Sequence, residues 1–323
     1  MIPPLQVFPL APAGFAERLR AARRHLQRWF DAVRLSNVSR SRRRRRQAEW
    51  AVRIRDVMSC PDLDRIPRVP GAGAIVGRYQ TMHNGLQILD GSYYGWRCSS
   101  MFVASGGVHE PQEELVFAAV IEHIASRCDG PGDPGAVMLE LGAYWGFYSL
   151  WFASRVPCAR CILVEPVADN LDMGMANARL NADKTPGARF EFLRAAVGAS
   201  PGTDPTLGRV TTVDELVECL RLNRIDILHA DVQHAEHAML LGSEGTLRRN
   251  LVRFAFVSTH SAELHTLCRD HLLRHGFRIL ADADLEDTYS TDGIIVACHH
   301  TVTNPPHVSI SLRRSTAACS RGA

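Results

Sequence analysis

Val137-Met138-Leu139-Glu140-Leu141-Gly142-Ala143-Tyr144-Trp145-Gly146 reads as a buried strand ending in an acid, a glycine bend, and the start of a helix. Gly142 lets the backbone pass close to a neighbour, and Gly146 lets the helix begin tight against the sheet. The spacing is E-x-G-x-x-x-G rather than the G-x-G-x-x-G of dinucleotide enzymes. A pyrophosphate needs several helix-end amides facing it. A ligand made of an amino acid and a nucleoside needs instead an acid near the turn, and Glu140 stands there to hold an ammonium. Gly142, Ala143, Tyr144 and Gly146 complete this candidate binding bend.

Working outward, strand and helix alternate. Candidate strands are 136–141, 161–165, 190–194, 225–230, 252–258, 277–281 and 293–298. Helical stretches fall at 146–155, 168–181, 212–223, 235–249 and 261–275. Such alternation predicts an α/β fold, a doubly wound parallel sheet with helices on both faces. The polar link from Asp282 to Asp292 is too short for a helical crossover, so the last of seven strands is expected to run antiparallel.

In open α/β sheets ligands sit beyond the carboxyl ends of the strands. Cys161-Ile162-Leu163-Val164-Glu165-Pro166 delivers Glu165 to such an end, 25 residues after Glu140. An acid there holds both hydroxyls of a ribose. Pro166 breaks the strand, Asn170 stands in the following helix as support for the same loop, and Ala196 follows the 190–194 strand; all three join the candidate cofactor set. Ile225 to Ala230 leads to Asp231, and Phe256-Val257-Ser258-Thr259 leads to His260. Two titratable groups at adjacent strand ends over one pocket are the candidate catalytic pair. No metal-ligand spacing joins Asp231, His234 and His260, and no metal is expected there.

Composition bounds the rest. The chain has 323 residues, 46% apolar and 22% charged, which is ordinary globular composition. No apolar run is long enough for a membrane span. The first residues, MIPPLQVFPLAPAGF, place apolar residues ahead of charge, the reverse of a secretory signal. Nine scattered cysteines form no framework and fit a reducing, cytoplasmic setting. Cys158 and Cys161 make a lone CxxC with no second pair for zinc, so they read as structural. Lys184 is the only lysine, so the arginine count reflects a compositional bias more than phosphate binding.

Domain boundaries follow. Residues 1–70 are an Arg-rich extension, helical or disordered in part, with an apolar stripe from Phe15 to Val33 and five arginines from Arg42 to Arg46. Residues 71–135 form a hairpin region and a helix that opens at His109 to Glu114. The core spans 136–300, and 301–323 are expected to be disordered.

The stretches LELGAYWGFYSL, VEPVADNL, IDILHADVQHAEHAML, and THS followed by a helix and GFRIL resemble the FkbM-type methyltransferases. GSYYG and HEPQEE resemble the segment some members place before the core. The resemblance implies a class I methyltransferase fold, S-adenosyl-L-methionine as cofactor, and O-methylation of a sugar or natural-product hydroxyl. It also implies that His109, Gln112 and Glu113 close over the amino-acid end of the cofactor. Where members carry Glu-Gly after the fourth-strand Asp, this chain has Gln233-His234; where a Lys is common it has His229. The expected partner is a small-molecule or glycan acceptor. The alternatives are a nucleic-acid methyltransferase using the arginine-rich extension as an electrostatic arm, and a non-catalytic module that keeps the fold. The N-P-P-Y/F signature of base methylation is missing, since Asn304-Pro305-Pro306 falls after the last strand. The oligomeric state is not read from the sequence.

Overall fold

The structure is a computed structural model that describes residues 7–9, 40–127 and 135–314, with backbone alone for Pro9 and residues 40–48. The apolar stripe expected from Phe15 to Val33 lies outside the described residues.

In chain order the elements before the core are β1 (Val7–Pro9), α1 (Arg40–Ser59), β2 (Ile75–Val76), β3 (Tyr79–Thr81), β4 (Gln87–Leu89), α2 (Trp96–Ser105) and α3 (Pro111–Ala125). The core follows with β5 (Val137–Leu141), α4 (Phe147–Arg155), β6 (Arg160–Val164), α5 (Ala168–Leu180) and β7 (Arg189–Leu193). A small three-stranded sheet, β8 (Ala196–Val197), β9 (Gly202–Asp204) and β10 (Gly208–Thr211), precedes α6 (Val213–Cys219). Then come β11 (Ile225–Ala230), α7 (Glu236–Leu241), α8 (Glu244–Arg248), β12 (Val252–Thr259), α9 (Ala262–Arg274), β13 (Phe277–Ala283) and β14 (Gly293–His299).

The main sheet runs β1-β7-β6-β5-β11-β12-β14-β13. Strands β7, β6, β5, β11 and β12 are parallel to one another. β14 slots between β12 and β13 and is antiparallel to both. This is the doubly wound sheet of a class I methyltransferase with its reversed last strand. The sheet has eight strands rather than the expected seven. The addition is β1, antiparallel to β7 at the edge, in a stretch the sequence reading left helical or disordered. Three residues are too few to show a period, and a proline suits an edge strand because it has no amide hydrogen to pair.

Strand parity assigns the faces. Val137, Leu139 and Leu141 pack with residues of α6, α7, α8 and α9, while Met138 packs with the aromatic side chains of α3 and α4. Glu140 shares the parity of Met138, and so does its neighbour across the register, His229. A polar pair is thereby placed on a face otherwise built of Phe117, Phe147 and Trp151. Helix starts are local: the hydroxyl of Thr212 accepts from the Glu215 amide at 3.0 Å, and Ser261 accepts from the Leu264 amide at 3.1 Å.

The meander β2–β4 is fixed to the core through α5. The Leu89 amide donates to Asn177 Oδ1 at 3.1 Å. Asn181 accepts from the Gln87 amide at 2.8 Å and donates to the Gln87 carbonyl at 2.7 Å. Residues 301–314, expected to begin a disordered tail, are instead packed. Ser311 donates its amide to Asp62 at 2.7 Å, and the Arg314 amide donates to Asp287 at 3.1 Å. The remainder of that tail, 315–323, lies outside the described residues. No described helix is long and apolar enough to cross a membrane, and the seven described cysteines are free thiols.

Asn181 is fully buried, so Asn181→Ala strands two backbone groups of Gln87 without partners. Chemical denaturation is expected to show a loss of about 2 kcal/mol or more. An unchanged midpoint would mean that the meander is not held by this contact.

Candidate functional site

A cavity of about 470 Å³ opens over the carboxyl ends of β5, β6 and β11, where the strand order reverses. Gly142 makes the bend at its floor. Its φ is +75°, and a Cβ there would lie 1.8 Å from the Asp231 carbonyl oxygen. The glycine is thus required by the neighbouring β11 loop rather than by a ligand. The amides of Gly142 and Ala143 both donate to the Val164 carbonyl, and the Asp231 amide donates to the Leu141 carbonyl. The first bend and the ends of β6 and β11 are locked together by these bonds.

Glu140, Gly142, Ala143, Tyr144, Glu165, Pro166, Asn170, Ala196 and Asp231 all line this one cavity. Gly146 does not; it begins α4, where an added Cβ would meet Leu163 at 3.0 Å, so its place is helix packing. Gln112 and Glu113 do not reach the cavity either. Gln112 donates to the carbonyls of Asp287 and Ser311 and accepts from the Tyr289 amide, which pins the β13–β14 loop. Glu113 lies beneath the cavity, 2.7 Å from His229 Nε2. His109 does line it.

Burial sets the electrostatics. Glu165 is held by the amides of Tyr144 and Val167 at 3.1 and 2.9 Å and by Asn170 at 3.3 Å, yet burial still pushes its carboxyl up. Glu140 accepts from the Ser149 amide at 3.1 Å, and burial raises it as well, against the pull of His229. Burial, with Glu110 and Asp292 nearby, lifts Asp231 to about 7. Its side chain is 34% accessible, and it lines the cavity. Among the described residues no Arg or Lys lines the cavity, whereas four carboxylates do: Glu110, Glu140, Glu165 and Asp231.

Two groups around the cavity are already compensated. Burial opposes charge on His109, but Glu110 and Glu114 outweigh it and raise the imidazole to about 10. Glu110 in turn is held well below the usual carboxylate range by His109 and by Arg53 of α1, despite its burial.

His260 stands just beyond β12 and behind Asp231. Its Nδ1 is 2.6 Å from Glu236 Oε1, and its Nε2 is 3.4 Å from both Asp231 Oδ1 and Asp292 Oδ1. Burial disfavours the cation, but the hydrogen bond to Glu236 and the charges of Asp292 and Asp231 lift it to about 9. The imidazole thus stands among the carboxyl groups of Glu236, Asp231 and Asp292.

Sequence reading missed Glu110, Tyr93, Tyr94, Tyr148 and Ser258 as wall residues. The signal for Glu110 lies in the HEPQEE stretch, where it stands immediately ahead of Pro111, the first residue of α3. The loop after β11 adds a strained feature: Gln233 and His234 have φ of 48° and 73°. A left-handed backbone at the second of these positions is the conformation that glycine adopts most readily.

The strand order and the cavity at the strand ends are those expected of a class I methyltransferase-like fold. Residues 140–279 match the model of the methyltransferase FkbM domain. The AMB antimetabolite synthetase AmbE of Pseudomonas aeruginosa is 27% identical over 56% of this chain. The match spans only 11% of that much longer relative. Methyltransferase FkbM from Methylobacillus flagellatus superposes with a TM-score of 0.42 at 15% identity, over 51% of this chain and 43% of that one. Precorrin-6y C5,15-methyltransferase from Geobacter metallireducens gives 0.37 at 12% identity, over 57% and 86%.

The His260 arrangement is open to direct titration. The proton NMR midpoint of His260 is expected near 9, and Glu236→Gln should bring it down toward the ordinary value of 6.5. Because the folded value is raised, the associated stability is complete below about 6.5 and is lost as pH climbs through 9. A midpoint that ignores Glu236→Gln removes the ion pair from the account.

Proposed function

We propose that this protein is an S-adenosyl-L-methionine-dependent methyltransferase that methylates a hydroxyl on a small metabolite or glycan. The observation that carries the reading is the charge of the cavity: Glu140, Glu165 and Asp231 are raised by burial and share one space lined by no described Arg or Lys. An under-compensated cluster of carboxylates favours a cationic occupant and disfavours a pyrophosphate. S-adenosylmethionine carries an ammonium and a sulfonium, with a methyl group on an already activated leaving group. The donor set fits it. Glu165 offers a carboxylate at the second strand end for the ribose hydroxyls, and Glu140 offers one near the bend for the ammonium. Tyr144, beside them, presents an aromatic ring of the kind that favours cations.

The remaining task is alignment and removal of the acceptor proton. Asp231 is the base in this reading, because a carboxyl near 7 is ready to accept a proton at neutral pH. His260, charged at that pH and tied to Glu236, positions Asp231 rather than taking the proton itself. The likeness to part of an antimetabolite synthetase supports a metabolite acceptor over a nucleic acid.

Two measurements test this. Glu165→Ala is expected to weaken S-adenosylmethionine binding by at least about tenfold in calorimetry, since a charged hydrogen-bonding partner is lost. Unchanged affinity would defeat the ribose assignment. For Asp231→Asn, turnover of an accepted hydroxyl substrate should fall by about 10²–10⁴ while cofactor affinity holds. In the wild-type protein, kcat/KM should rise with pH through about 7 as Asp231 ionises and decline above about 9 as His260 loses its proton. A profile flat across 6–8 would exclude Asp231 as the base.

A further inference from the structure

Away from the cavity, Glu244 at the start of α8 meets His271 and His275 at the end of α9. We propose that these three residues form a binding site for a zinc-like divalent transition-metal ion. The two histidines are four residues apart, H-x-x-x-H, which puts them on one side of a helix. Their rings stack with centroids 4.6 Å apart at 16°. His271 Nε2 lies 3.4 Å from Glu244 Oε1, and His275 Nε2 lies 3.3 Å from Glu244 Oε2.

Three observations distinguish a metal site from a hydrogen-bonded patch. First, His271 is 2% exposed, yet its Nε2 has no hydrogen-bond partner. A buried imidazole nitrogen left idle carries a desolvation cost that a metal would remove. Second, His275 Nδ1 is 2.9 Å from the His271 carbonyl oxygen. In the tautomer that donates its ring N–H there, Nε2 faces the Glu244 carboxylate and is free to ligate. A ligating histidine is commonly oriented in this way, by donating its other N–H to a carbonyl. Third, the separations fit. Tetrahedral zinc holds nitrogen and oxygen ligands at about 2.0–2.2 Å, which places ligand atoms roughly 3.3 Å apart. Two imidazoles and a carboxylate suit zinc, cobalt or nickel over calcium or magnesium.

The site would tie α8 to α9, and His237, whose ring is 5.7 Å from that of His271, stands beside it. Its role is structural support: α9 begins two residues after His260, and α7 carries Glu236.

The test uses the full, untagged chain, stripped with chelator and dialysed against Zn²⁺ alone, with bound metal counted by mass spectrometry. One equivalent is expected, with a rise in melting temperature. Co²⁺ should give the visible bands of a tetrahedral site. His275→Ala, at a half-buried position, and Glu244→Gln should each weaken Zn²⁺ binding at least about tenfold. Both should melt like the wild type in chelator, which separates lost binding from lost folding. His260→Gln should keep the equivalent. Less than one equivalent on the wild type, or unchanged affinity in both ligand variants, overturns the proposal. So does loss of the equivalent in His260→Gln with retention in His275→Ala, since the ion would then belong to the Asp231–His260 cluster.

Discussion

The backbone at Gly142 passes so close to the Asp231 carbonyl that no side chain fits between them. That contact fixes how the first bend of the core and the end of β11 sit against each other. Parallel pairing then sets Glu140 beside His229 and Leu141 beside Ala230. Because side chains alternate along a strand, one register step would send Glu140 to the opposite face, among the aliphatic residues packed under α6 to α9. Placement of the carboxylates around the cavity thus depends on a backbone approach that only glycine permits.

Charge is the second layer of the arrangement. Some acids near the cavity are matched: Glu110 by His109 and Arg53, Glu236 by His260. Others are held by backbone amides that do not fully offset burial, as at Glu165. The chain spends part of its folding energy on keeping these acids away from water. Arg53 comes from α1, so the N-terminal helix contributes to the balance of the wall and is more than an appendage.

Most of the core was legible because its strands are short apolar runs, with β5, β6 and β11 ended by Gly142, Glu165-Pro166 and Asp231. Glu140, Glu165 and Asp231 could be placed on one cavity because they end strands β5, β6 and β11, and strand ends in a doubly wound sheet meet. The phase of a helix start is harder to read. Within HEPQEE, Glu110 faces the cavity, Gln112 faces the β13–β14 loop, and Glu113 points beneath. These three acids or amides fall within four residues, interrupted only by Pro111, and show no apolar period to distinguish them. Nor could β1 be read, since three residues joined to an edge carry no period. The packing of 301–314 combines polar contacts to Asp62 and Asp287 with Val302, Val308, Ile310 and Leu312 against the core, and these partners lie in distant parts of the chain that local composition does not encode.

The matched stretch 140–279 and the physical sheet do not share borders. The match opens inside β5 and stops inside β13, whereas β14, at 293–299, is wedged between β12 and β13. Excising the recognised segment would take out an interior plank, leaving β12 and β13 with no strand between them. The stretch defined by similarity is here smaller than the sheet it belongs to, so a transplant that keeps the sheet continuous must carry the strand that comes after the recognisable part ends.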